Sequence, residues 1–197
     1  MTEKAFAKIN LFLSVGGRRA DGYHDIDTVM HTVSLCDEVS FEKCDTLRVF
    51  CDIDVPEKEN LAYRAAQAFF DYTGITPSAK ITVKKLVPSK AGLGGGSADA
   101  AAVLRGLNKM YGSGLDTQTL ARIGAPLGAD IPFCVYCGKA RCEGIGEIIT
   151  PMEKEKLHLA IVKPDVDCPT GEMYALLDEA EREPVLYEEG LFFNSFD

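Results

Sequence analysis

The sequence predicts an α+β fold, and three observations predict it. Strand-period alternation gathers near the N-terminus, helix-period stripes interleave later, and a glycine cluster runs straight into one of those helices. In the opening segment Ile9, Leu11, Leu13 and Val15 fall on one face of an extended chain, with Lys8, Asn10 and Ser14 on the other. Asp21-Gly22 is a turn signal, and a second extended run covers Thr28 to Leu35. Leu47, Val49, Cys51 and Ile53 alternate as a third strand.

Asn60 can cap a helix whose stripe is Leu61, Ala65, Ala68, Phe69 and Tyr72, stopped by Gly74. A strand around Ile81 and Val83 leads to Pro88, and past the glycines Val103, Leu107, Met110 and Tyr111 line one face of a helix. Asp116 starts a short helix through Leu120 and Ile123, closed by Gly124. Extended segments resume beyond Pro132, Phe133 to Cys137 among them, with a turn at Gly144-Ile145-Gly146. A strand from Lys156 to Val162 and a helix from about Thr170 to Arg182 complete the order. The tail carries Phe192, Phe193 and Phe196, which a pocket, a partner or a continuing polypeptide must cover; the last is the expectation.

Hydrophobic residues at 46% and charged residues at 26% are ordinary globular values, which excludes wholesale disorder. A formal charge of −9 argues against nucleic acid or an anionic membrane as the main partner. An anionic ligand must then be held by local donors, which directs attention to glycine-rich loops and single lysines. The start lacks the pattern of a signal peptide, and no apolar run reaches the roughly 18 residues that span a bilayer. The seven cysteines therefore read as reduced thiols, and the cytoplasm is the expected location. Cys134-x-x-Cys137 is a weak metal motif, because a strand would put the two thiols on opposite faces and Cys142 and Cys168 lie at untypical spacings. Core thiols are the better reading.

Gly92-Leu93-Gly94-Gly95-Gly96-Ser97 stands directly before a helix. Without Cβ atoms such a backbone can approach an anion and turn its N–H groups inward, and the helix adds its own N-terminal donors. Ser97 can serve as N-cap, with Asp99 in the first turn. The string is neither a Walker A loop, which ends in Gly-Lys-Ser/Thr, nor a dinucleotide fingerprint, so a turn that only lets the helix pack remains the bland alternative. Lys84, Lys85 and Lys90 gather before the loop, either to meet a phosphate or as a solvated strand end.

The whole run Pro88-Ser89-Lys90-Ala91-Gly92-Leu93-Gly94-Gly95-Gly96-Ser97-Ala98-Asp99-Ala100-Ala101 resembles the phosphate loop of the galactokinase, homoserine, mevalonate and phosphomevalonate (GHMP) kinase superfamily. Its triple glycine is most similar to the branch acting on a cytidine diphosphate sugar alcohol. Ala7-Lys8-Ile9-Asn10-Leu11-Phe12-Leu13, Arg19 to Met30, Leu127-Gly128-Ala129-Asp130-Ile131-Pro132-Phe133 and Glu143 to Glu147 resemble further segments of that branch, in order along the chain.

The resemblance implies a GHMP kinase fold, with an N-terminal ribosomal protein S5 domain 2-like ATP-binding lobe over residues 1–150 and an incomplete ferredoxin-like C-terminal lobe over 151–197. It implies ATP and Mg²⁺, with Pro88 to Ala98 around the nucleotide and phosphorylation of the 2-hydroxyl of 4-diphosphocytidyl-2-C-methyl-D-erythritol in non-mevalonate isoprenoid synthesis. It makes Asp130 the general base and Lys8 the catalytic lysine, with Asn10 an adjacent polar contact. Tyr23 and His24 go to the cytosine, Tyr174 to its other face, and Asn60 and Lys84 to the border of the adenine. The metal ligands stay unassigned between Ser97 and Asp99. The family's third glycine-rich loop finds no match, so this chain is expected to bind ligands but transfer phosphate poorly unless a second chain supplies that part.

By residue type alone, each role has an ordinary counterpart. Asp130 before Ile131-Pro132 suits a helix N-cap as well as a base, and Lys8 a solvated strand lysine as well as a charge that offsets a developing oxyanion. Tyr23 suits a hairpin aromatic, and Tyr174 a helix-face core position.

Overall fold

A computed structural model describes residues 1–53, 55–163, 165, 170–179 and 184–196. Cys168 and the end of the expected helix at Arg182 lie outside the described residues. The chain begins with two long antiparallel strands, β1 (Thr2–Arg18) and β2 (His24–Lys43). Their hairpin turns at Gly22, whose φ of 88° suits a residue without Cβ, and Asp21 Oδ1 accepts from the Tyr23 amide at 3.1 Å. The second strand is thus far longer than Thr28 to Leu35, because its pairing with β1 runs from His24 to Ser40.

The chain continues through β3 (Arg48–Cys51), α1 (Leu61–Thr73), β4 (Ala79–Lys84), α2 (Gly95–Tyr111) and α3 (Thr117–Gly124). After these come α4 (Ile131–Tyr136), β5 (Lys139–Gly144), β6 (Ile148–Pro151), α5 (Thr170–Glu179) and β7 (Phe193–Asn194). Strand order along the sheet is β3-β4-β2-β1-β7, while β5 pairs with the other stretch of β2 and with β6. Helices α1 and α2 cover one face, and Phe69, Phe70 and Tyr111 pack ring against ring between them. The helix ends follow their caps. Asn60 Oδ1 accepts from the Ala62 amide at 2.9 Å, Asp116 Oδ1 from the Thr119 amide at 2.7 Å, and Gly74 closes α1 at φ 69°.

Three expectations change. The apolar alternation of β1 is broken by a register shift between Asn10 and Phe12, so Phe12 and Leu13 are both buried while Leu11 is only partly so. Phe133 to Cys137 is not strand: Pro132 sits in the first turn of α4, where its missing N–H costs nothing, and the helix ends at Cys137 with φ 55°. Cys134 is buried in the core, and burial pushes its thiol pKa up, which makes it inert. Lys156 to Val162 forms no strand, since none of its residues pairs with a neighbouring edge among the described residues.

The aromatic tail folds back on β1. Phe193 pairs in parallel with Phe12, and their rings lie 5.9 Å apart. The Ser195 amide donates to the Leu13 carbonyl, and its hydroxyl accepts from the Val15 amide at 3.0 Å. Phe196 meets the edge of Tyr174 at 5.0 Å. A pocket on this chain therefore covers Phe193 and Phe196, while Phe192 is 70% exposed.

Candidate functional site

One cleft of about 1370 Å³ opens between the glycine loop, the β1–β2 hairpin, the start of α4 and α5. Lys8, Asn10, Tyr23, His24, Asp130 and Tyr174 all line it, as do Pro88, Ser89, Lys90, Ala91, Gly92, Leu93, Gly94, Gly95, Gly96 and Ser97. These residues come from distant parts of the chain, and the sheet brings them to one end of the molecule.

The loop is tied to the strand that carries Lys8, whose amide donates to the Leu93 carbonyl at 3.0 Å. Gly94 takes φ 67°, and a Cβ there would stand 2.9 Å from Lys8 Cγ, so glycine is required for both backbone and space. Gly94, not Ser97, is the N-cap of α2. The amides of Gly95, Gly96 and Ser97 consequently lie in the first turn, without intrahelical acceptors, at the positive end of a 17-residue helix. Ala98 is the point where this arrangement stops. Its amide donates to the Gly94 carbonyl at 2.8 Å and its methyl is buried in the core, so it does not reach the cleft. Lys84 also leaves the set, because β4 turns it outward to solvent while Lys85 turns in.

Lys8 is buried, and its ammonium lies 3.4 Å from Asp130 Oδ2. It donates to Asn10 Oδ1 at 2.8 Å; Asn10 donates in turn to the Thr28 hydroxyl at 2.7 Å, which donates to the Phe12 carbonyl at 2.6 Å. This relay holds the ammonium in one place. Asp130 stands at the N-cap position of α4, yet its side chain makes no cap bond. The carboxylate is thereby left to Lys8 and the cleft. Burial and then the Asp130 charge push the Tyr174 phenol pKa up, which places that ring in reach of the same field.

A second charged cluster lies beneath the loop, joining Lys85 and Asp99 to Asp37, a residue outside the sequence reading. Lys85 Nζ donates to Asp37 Oδ2 at 2.5 Å and to Asp99 Oδ2 at 2.6 Å. Asp37 is fully buried, and its other oxygen accepts from the amides of Leu86 at 2.5 Å and Val87 at 2.7 Å. Asp99 is buried beyond the first turn of α2, and its Oδ1 has no partner among the described residues. The pattern held a signal: Asp37 shares a strand face with Val39 and Phe41, and Lys85 with Ile81 and Val83.

One ammonium cannot fully offset two buried carboxylates. Burial first, then Asp37, raises the Asp99 pKa from 3.8 to about 7, against the pull of Lys85. A carboxyl whose folded pKa lies above its unfolded value contributes stability that is complete below the unfolded pKa and disappears as pH rises through the folded one. Between pH 8 and pH 6 Asp99 should therefore add about 1 kcal/mol of stability. Urea denaturation at the two pH values checks this: Asp99→Asn should flatten the difference, and an unchanged difference refutes the assignment.

Residues 60–138 match the GHMP kinases N terminal domain, which contains the loop, α2 and Asp130. The chain carries a domain of the GHMP kinase family and the GHMP kinase fold. Within that family it is similar to a 4-diphosphocytidyl-2-C-methyl-D-erythritol kinase of Caldicellulosiruptor saccharolyticus, 44% identical over 90% of this chain and 63% of the relative. The same named enzyme of Clostridium tetani is 45% identical over 92% of this chain and 66% of the relative. A crystal structure of 4-(cytidine 5′-diphospho)-2C-methyl-D-erythritol kinase superposes with a TM-score of 0.73 at 35% identity, covering 90% of this chain and 64% of the other. The mevalonate kinase of Methanococcus jannaschii, at 15% identity and a TM-score of 0.67, shares the fold. The chain thus spans 62% to 66% of the length of the curated relatives it matches.

Proposed function

We propose that the cleft holds ATP with its phosphates on the amides of Gly95, Gly96 and Ser97. Lys8 and Asp130 then serve transfer of the γ-phosphoryl group to the 2-hydroxyl of 4-diphosphocytidyl-2-C-methyl-D-erythritol, in the non-mevalonate route to isoprenoid precursors. The observation that carries this reading is the Lys8–Asp130 couple, 3.4 Å apart, with Lys8 on the strand bonded directly to the glycine loop and Asp130 at the start of α4. Asp130 accepts the hydroxyl proton as the new O–P bond forms, the bond to the β-phosphate oxygen breaks, and ADP leaves. The Lys8 ammonium offsets charge on the attacking oxygen, and Asn10 keeps it oriented. Tyr23, His24 and Tyr174 form the wall for the cytosine ring.

Mg²⁺ would neutralise the transferring phosphate. Among the described residues no group of three or more His, Cys, Asp or Glu side chains is arranged to hold a metal ion, and Asp99 is claimed by Lys85. The ion would be held mainly by the nucleotide phosphates, with Ser97 at the loop the remaining candidate from this chain. No helix of the described residues is long and apolar enough to cross a membrane, and the proposed chemistry belongs to the cytoplasm.

The test is transfer of label from γ-labelled ATP to the cytidine diphosphate acceptor, with the product identified by mass. ADP formation that ignores the acceptor refutes the reading. Tyr23→Ala should raise the KM for that acceptor roughly tenfold, since one base-stacking contact contributes about 1–3 kcal/mol. An unchanged KM would favour a sibling kinase whose acceptor carries no base.

A further inference from the structure

Resting on the assignment of this wall to a pyrimidine base, a residue outside every motif of the sequence acquires a role. Asp178 lies one helical turn after Tyr174 on α5, and its Oδ1 stands 2.6 Å from His24 Nε2. The imidazole is buried, and Tyr174 stacks on its face at 4.8 Å with 23° between the planes. The other carboxylate oxygen lies 3.7 Å from Arg18, the residue directly across from His24 on β1. The helix thus brings a carboxylate to this ring, and the strand brings the Arg18 guanidinium to the far side of that carboxylate.

An ionised carboxylate only accepts hydrogen bonds, so the His24 nitrogen that faces it must carry the proton. In the uncharged ring the other nitrogen, Nδ1, is then an acceptor. Tyr174 stacked on the ring face and the carboxylate at its edge are the two contacts that orient the imidazole. An acceptor held in a base-binding wall pairs with an exocyclic amine and repels a carbonyl oxygen, the single difference between cytosine and uracil at that ring position.

We infer that Asp178 is a positioning residue for base selection, setting the His24 tautomer so that the cleft accepts a cytosine-type amine and rejects a uracil-type carbonyl. Its placement also gives α5 a function that depends on the tertiary fold, since His24 and Asp178 are 154 residues apart.

The test uses the 197-residue chain and isothermal titration with cytidine 5′-diphosphate, uridine 5′-diphosphate and a non-hydrolysable ATP analogue. The unmodified chain should prefer the cytidine nucleotide. Asp178→Ala should weaken cytidine binding about tenfold while leaving uridine and ATP-analogue binding nearly unchanged, so that the preference collapses. Asp178→Glu should restore part of it. An Asp178→Ala chain that keeps the original cytidine-to-uridine ratio overturns the inference. If the unmodified chain binds the ATP analogue but no cytidine nucleotide, the base-binding assignment itself fails and this one with it.

Should Asp178→Ala not fold, nitrogen-detected NMR of the unmodified chain still decides, because only three histidines need assignment. A proton on Nε2 with a bare Nδ1 in the uncharged His24 supports the role, and the reverse tautomer rules it out.

Discussion

Asp130→Asn is expected to lower the turnover number by about 10²–10⁴-fold while ATP affinity stays within about twofold. The amide is nearly isosteric and can still approach Lys8, but it cannot take the hydroxyl proton. Asp130 makes no cap bond to α4, so the substitution should leave the local fold in place. Lys8→Ala should behave differently. Its ammonium faces Asp130, while its aliphatic stem packs against Gly94 and its strand anchors Leu93. Truncation therefore removes charge in the transition state and also loosens the loop, lowering turnover and raising the KM for ATP together. Steady-state kinetics of the two variants separate these signatures. An Asp130→Asn enzyme with near-normal turnover would remove the base from the proposal.

Lys85→Met should destabilise the fold by about 3–5 kcal/mol at pH 8, because it leaves two buried carboxylates with no counter-charge. The side chain lengths are similar, so packing changes little and electrostatics dominates. Asp37 would keep its bonds from the Leu86 and Val87 amides, whereas Asp99 would lose its ion partner altogether. Adding Asp99→Asn to Lys85→Met should accordingly recover a large part of the loss. Chemical denaturation of the single and double variants measures this coupling, and simple additivity would show that the lysine does not hold Asp99. A cleft built over this cluster should also lose ATP affinity in Lys85→Met, since Lys85 Nζ lies directly under Gly95.

The elements were legible where local chemistry decides the backbone. Asn60, Gly74 and Asp116 mark helix ends by their own side chains or conformational freedom, and each does so in the fold. The glycine loop was legible for the same reason, although its cap lies at Gly94 because φ 67° there already turns the chain into the helix. Phe133 to Cys137 misled because strand-forming side chains mask a short helix whose real marker is Pro132 in its first turn. Lys156 to Val162 misled because alternation requests a partner edge that a single segment cannot provide.

Read alone, the amino-acid order determined the α+β class, the anion-ready glycine turn and the residue types able to move a proton, since all of these arise from neighbours within a few positions. Only the tertiary structure decided which of them meet. The sheet carries Lys8 to Asp130 across 122 positions, sinks Asp37 and Asp99 around one lysine, and lays Asp178 against His24. Each of these pairings joins polar or charged groups from different elements of the chain, and their energies depend on distance and burial, quantities that exist only after the core has formed.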